Sequence, residues 1–235
     1  EHSMRLSLLG QLVRRRRWLA GLALSALAVP LQTAALTLAP LSVVQPADAV
    51  GLVVLLVAGS AMLGERAGRR EVLAVGAIIA GVVLVTLADV AHSDTSASVA
   101  RLALVLTPLA LLALAPFALR GRGVPSWTMV VGAGLAFAIG AFSLKLIADA
   151  VAAQEWLALL AAGAVAGVMA LIGMNGEMSA LQVRPVAAVA PVIFAIELAV
   201  PVVLGPIVGG ESWPTDPLRL AALVGGLLVT VGGAV

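Results

Sequence analysis

The sequence predicts an all-α fold, a polytopic bundle of membrane-spanning helices built on inverted-topology repeats. Three observations predict it. Of 235 residues, 62% are hydrophobic and only 11% are charged. The charges fall between apolar runs of about 18 to 28 residues, long enough for a helix to cross roughly 30 Å of hydrocarbon. Finally, two stretches of the chain echo each other. At membrane depth the backbone must satisfy its own polar groups, as a helix or as a closed barrel. Barrel strands are short and alternate, whereas these runs are apolar on every side, which selects helices.

Eight helices are expected, at about 18–38, 42–63, 71–91, 101–119, 126–150, 155–182, 185–209 and 217–235. Residues 1–17 precede them as a cytoplasmic segment, 18–91 make the first repeat and 101–235 the second. Arg14–Arg17 ahead of an apolar stretch also fits a signal peptide, but seven further spans stand where an exported domain would be, so the stretch is read as a first helix. The helix at 101–119 holds two prolines, Pro108 and Pro116, and no glycine, and is expected at the periphery. Gly163 with Gly167, and the row Gly132, Ala136 and Gly140, mark faces where backbones can approach closely.

The arginines are sorted by loop. Arg5 and Arg14–Arg17, then Arg66, Arg69 and Arg70, then Arg120 and Arg122, then Arg184 fall on one side; Arg101 and Arg219 fall on the other. The positive-inside rule places the residue 17 side and the C-terminus in the cytoplasm and the chain in an inner (plasma) membrane, surrounded by lipid bilayer. Trp18 and Trp127 lie at inner helix ends and Trp156 and Trp213 at outer ends, as an interfacial aromatic belt requires. The basic balance therefore sets topology and does not indicate nucleic acid. The absence of cysteine excludes disulfides and thiolate metal sites. Neither histidine falls in a span, and no HExxH, nucleophile elbow, P-loop or dinucleotide fingerprint occurs, so no enzyme, cofactor or metal site is expected. Richness in Ala, Val, Gly and Arg fits a bacterium with a GC-rich genome.

The repeat reads LQTAALTLAPLSVVQP at 31–46, leading to LGER at 63–66, and GEMSALQVRPVAAVAP at 176–191, leading to GGES at 209–212. Pro40 and Pro46 match Pro185 and Pro191 as helix-turn prolines. The copies are five helices apart and so enter the membrane in opposite directions. Inverted repeats place a substrate site near the midplane, at the repeat interface. The pattern A-L-x-x-x-P-x-x-x-x-x-P before a helix ending in L-G-E-R resembles the EamA-type branch of the drug/metabolite transporter superfamily, and the related NIPA-like magnesium transporters. That resemblance implies about nine or ten helices, hence a further helix ahead of residue 1, and a transporter rich in export functions.

Charges inside spans are costly and mark cavities or partners. Glu197 lies about twelve residues into its helix, roughly 18 Å deep, near mid-bilayer. A carboxylate there suits a carrier that takes a proton from one side and releases it on the other. Glu177 lies nearer the inner end and aligns with Gln32 in the other copy, so both repeats place a polar side chain at one position. Gln32, Asn175 and Gln182, with Phe137, Phe142 and Phe194, are the candidate substrate-cavity residues. Lys145 matches Asp48 in depth and sits one turn from Asp149, which predicts an outer ion pair or gate, with snorkelling to the headgroups as the alternative. With no tyrosine and the tryptophans at the interfaces, an aromatic cage for quaternary ammonium is poorly supported.

The expected function is secondary active transport of a small metabolite by alternating access, proton-coupled and directed toward export. A NIPA-like magnesium pathway using Glu177, Glu197, Asn175 and Gln32 as outer-sphere ligands is the first alternative. A lipid-handling or scaffold protein for a cell-envelope enzyme, with Arg184 or Arg120 near a phosphate head, is the second. A homodimer is compatible with all three.

Overall fold

The computed structural model describes residues 15–38, 51, 53–54, 68–88, 91–92, 98–119, 125–209 and 211–234. Its helices are α1 (Arg16–Leu38), α2 (Arg69–Leu87), α3 (Val99–Ala118), α4 (Trp127–Ala152), α5 (Trp156–Leu181), α6 (Val186–Val208) and α7 (Pro217–Ala234). Two short strands, β1 (Ala91–His92) and β2 (Glu211–Ser212), accompany them. Of the helix expected at 42–63 only residues 51, 53 and 54 are described, and they are helical.

The helix order agrees with the apolar runs; the span lengths agree only in part. α3, α4, α5 and α6 are long and apolar enough to cross a bilayer, while α1, α2 and α7 carry shorter apolar stretches, Trp18–Gln32, Val72–Leu87 and Pro217–Gly233. In α2 the reason is local. Arg69, Arg70 and Glu71 fill its first turn, and it stops at Leu87, where Ala88 forms the cap. Hydropathy carried the expected helix on to residue 91, because it does not register a turn followed by a strand. The apolar part of α2 is therefore about 24 Å long, against the roughly 30 Å of a hydrocarbon core.

Short connections force neighbouring helices to run antiparallel. Between α4 and α5 the chain reverses through Gln154, which takes a left-handed backbone (φ 57), while Glu155 N–H donates to the Ala150 carbonyl at 2.9 Å. That is the six-to-one bond of a helix-terminating turn, here without the usual glycine. Between α5 and α6, Pro185 caps α6 in an extended conformation and its carbonyl accepts from Val189 N–H at 3.2 Å. β1 pairs antiparallel with β2, Ala91 opposite Ser212 and His92 opposite Glu211, which ties the far end of α2 to the far end of α6. The bundle thus has an Arg184 end, where α4 and α6 begin, and a Gly209 end, where they finish.

α4 is the most enclosed of the four long helices and α3 the least, as its two prolines and lack of glycine predict. The row of small residues on α4 explains the enclosure. A side chain at Gly132 would collide with Pro116 of α3, and one at Gly134 with Ile196 of α6. Ala136 packs with Ala113, Ile139 and Met169 in one buried cluster. Gly163 and Gly167 behave otherwise: no described atom comes within 4 Å of where their Cβ would stand. Against the expectation that this pair marks a packed face, this face of α5 is open among the described residues.

Among the described glycines, the tightest contacts with a neighbouring backbone join α2 to α7. A Cβ at Gly81 would lie 2.6 Å from the Gly226 carbonyl oxygen, and a Cβ at Gly226 would lie 2.7 Å from the Gly81 carbonyl oxygen. Thr230 is fully buried beside them, its hydroxyl donating to Gly226 O at 2.8 Å. Back-bonding of this kind lets a hydroxyl sit at a helix contact without an unpaired group.

Candidate functional site

α6 carries the site because it is the element shared by two packed bodies. On one side Val189 and Ile193 join Val130 and Ala133 of α4 and Ala180 of α5 in a buried cluster, with Phe137 packed against it. On the other, Ala190 and Leu198 join Val75, Ile78 and Val82 of α2, with Phe194 packed against them. Glu197 is the twelfth of the 23 residues of α6, at its middle, as expected. Around a 3.6-residue helix it projects about 40° from Ile193 and about 60° from Phe194. It therefore lies on the seam between the α4–α5 cluster and the α2 cluster, and it is half-buried.

Prolines at 191, 201 and 206 interrupt this same helix. Each lacks the N–H that would bond the carbonyl four residues earlier, and its ring crowds that turn. For Pro201 that carbonyl belongs to Glu197. The carboxylate thus sits at a level where α6 is both shared by two packed bodies and weakened in its own ladder.

Glu177 shares a helical face of α5 with Gly173, Ala180 and Leu181, the last two of which pack with α4 and α6. A side chain at Gly173 would meet the Phe137 ring at 2.9 Å, so Phe137 lies against α5 one turn from Glu177. Asn175 is only two residues away but points about 200° round the helix. Its amide oxygen is buried and has no hydrogen-bond partner among the described residues, although Ser179 donates to its backbone carbonyl at 2.7 Å. Asn175 and Glu177 cannot contact one small ligand together. The described residues also hold no group of three or more His, Cys, Asp or Glu side chains placed to share a metal ion.

The other candidates are dispersed. Gln32 is half-buried in α1, and neither it nor Glu197 is left without a partner. Gln182 is the exposed C-cap of α5, too close to the end of the helix to line a midplane cavity. Phe142 is 2% exposed and packs with Leu204 and Val208 of α6, which makes it core. Pro191 is buried within α6, whereas Pro185 caps it. Asp48, Pro40 and Pro46 lie outside the described residues.

Lys145 finds an acceptor that charge pairing alone does not suggest. Its Nζ donates to the backbone carbonyl of Gly209 at 2.8 Å, the residue that caps α6. The last carbonyls of a helix carry partial negative charge and no intrahelical donor, so a cation there is doubly favourable. Asp149 is exposed on α4 and also engaged. Sequence reading missed Gly209 because a helix end presents backbone, and backbone leaves no side-chain signature to search for. It missed a second feature as well: the Arg184 guanidinium carbon stands 4.1 Å above the Trp127 ring centroid.

Among known proteins, the chain matches no family model, no curated protein and no solved structure. What the described residues establish is a multi-helix protein with several helices fit to cross a membrane.

Proposed function

We propose that this chain is a secondary transporter of the drug/metabolite type, moving a small metabolite across the membrane by alternating access, with proton coupling through Glu197 and export as its direction. The observation that carries the reading is Glu197 itself: an acidic side chain at the middle of an apolar helix, on the seam between two packed bodies. A carboxylate there is expensive and serves a carrier better than it serves a fold.

The inverted repeat has support from the α2–α7 crossing. Gly226 follows Gly81 by the same separation that sets Pro185 after Pro40 and Pro191 after Pro46. The two glycines meet each other reciprocally on antiparallel helices, which is the contact expected where equivalent residues face across a two-fold axis in the membrane plane. The positive-inside rule makes the Arg184 end cytoplasmic. The Gly209 end, held by the β1–β2 pair and by Lys145, is then the closed outer side. The divergence of Asn175 from Glu177 weighs against the magnesium reading, which counts both among its outer-sphere ligands.

The test uses protein in liposomes with a pH-sensitive dye inside, challenged with pools of amino acids, cations and small metabolites. Substrate-dependent proton flux that disappears in Glu197→Gln supports the reading. Normal flux in Glu197→Gln ends the coupling role of Glu197, and magnesium crossing alone moves the function to a divalent-cation pathway.

A further inference from the structure

We infer that Arg184, Trp127 and Ser126 form a binding site for the phosphate of an anionic phospholipid headgroup at the Arg184 end of the bundle. The inference is independent of transport. Arg184 lies in the short turn between α5 and α6. Its guanidinium stacks on Trp127 at 4.1 Å, and its Nε donates to Ser126 Oγ at 2.8 Å. Those two contacts fix the plane of the guanidinium yet use one face and one of its five N–H donors. The other four, on the two terminal nitrogens, have no acceptor among the described residues. Glu177, the nearest acid along its own chain, is two helical turns away.

Arg184 is half-buried, so a guanidinium with idle donors here is a costly arrangement unless something accepts from it. Ser126 adds to the donor set. It makes no side-chain cap to its own helix; its oxygen accepts from Arg184, which leaves its hydroxyl proton uncommitted among the described residues. A planar fork held rigidly, with one hydroxyl beside it, matches the bidentate recognition of a phosphate.

Position selects the lipid over a soluble anion. Trp127 is 39% exposed and Val183, next to Arg184, is 63% exposed. An aromatic residue of this kind at a helix end belongs to the headgroup layer, and Val183 offers the apolar surface that the glycerol and upper acyl chain of a bound lipid would cover. A free phosphate would leave both uncovered.

The test is a lipid titration of the purified chain in discs of neutral phosphatidylcholine, read by thermal unfolding and by tryptophan fluorescence. Added phosphatidylglycerol should raise the unfolding midpoint saturably. Arg184→Gln should weaken that half-saturation about tenfold, the order of one charge-assisted pair, while Arg219→Gln at the opposite end leaves it unchanged. Ser126→Ala keeps the guanidinium and should weaken it by a smaller factor, which covers the case that Arg184→Gln fails to fold. An unaltered response in Arg184→Gln or in Ser126→Ala overturns the site. So does an equal response to added phosphatidylcholine. Inorganic phosphate reproducing the full shift would assign the residues to a soluble anion and overturn the lipid.

Discussion

Two pairs of glycines in this protein differ completely in what they meet among the described residues. At the α2–α7 crossing, Gly81 and Gly226 press on each other's backbone. On α5, Gly163 and Gly167 look into open space among the described residues. Sequence alone gives the second pair the better claim, since it has the G-x-x-x-G form. The difference teaches that a small residue permits an approach and does not cause one. What causes it is a second small residue on the partner at the matching level, as Gly226 of α7 supplies for Gly81 of α2.

The comparison can be broken experimentally, and the largest effect is expected at the crossing. Gly81→Leu would drive a side chain into Gly226 O and the Thr230 amide, backbone that cannot swing aside. A loss of about 3 kcal/mol, the upper range for overpacking, is expected in thermal unfolding. A midpoint within error of the parent would mean that α2 and α7 do not cross there.

Next comes Lys145→Met, which keeps the apolar stem and deletes the bond to Gly209 at the end of α6. Hydrogen bonds from charged groups contribute about 1.5–3 kcal/mol, and partial exposure places this one near the lower figure. Hydrogen exchange at the amides near residue 209 should rise, while exchange at the Arg184 end stays constant. Gly173→Ala is intermediate in kind: the added methyl meets the side chain of Phe137, which can shift. A loss of about 1 kcal/mol is expected, and Phe137→Leu should recover it in a double-mutant cycle. The smallest change should have the opposite sign. Gly163→Ala and Gly167→Ala meet nothing among the described residues and remove a poor helix former, so each should stabilise by up to about 1 kcal/mol. Destabilisation there would show that the open face is covered after all.

These contrasts also show how far the sequence could be read. Long apolar runs and sorted arginines placed the helices well, because hydrocarbon thickness imposes both. Glu197 was legible for the same reason: a lone acid in an apolar run stands out and its depth can be counted. Lateral neighbours were not legible. Phe142, Phe137 and Phe194 look alike in sequence, yet they fall into three separate clusters, because each sits on a face set by helix rotation. Lys145 invited an acid as partner, and nothing in the sequence announced its bond to the Gly209 backbone carbonyl. The end of α2 at Leu87 was not legible because the Ala88 cap is as apolar as the helix before it.

The central claim is that the α6 seam bearing Glu197 opens to each side of the membrane in turn. The chain has no cysteine, so a single reporter can be placed at Ile193, buried one turn from Glu197. Ile193→Cys in oriented vesicles, treated with a membrane-impermeant thiol reagent, should react from both faces, with one rate rising as the other falls when the pH gradient is reversed. Reaction from one face alone under both gradients, or from neither, would contradict the account.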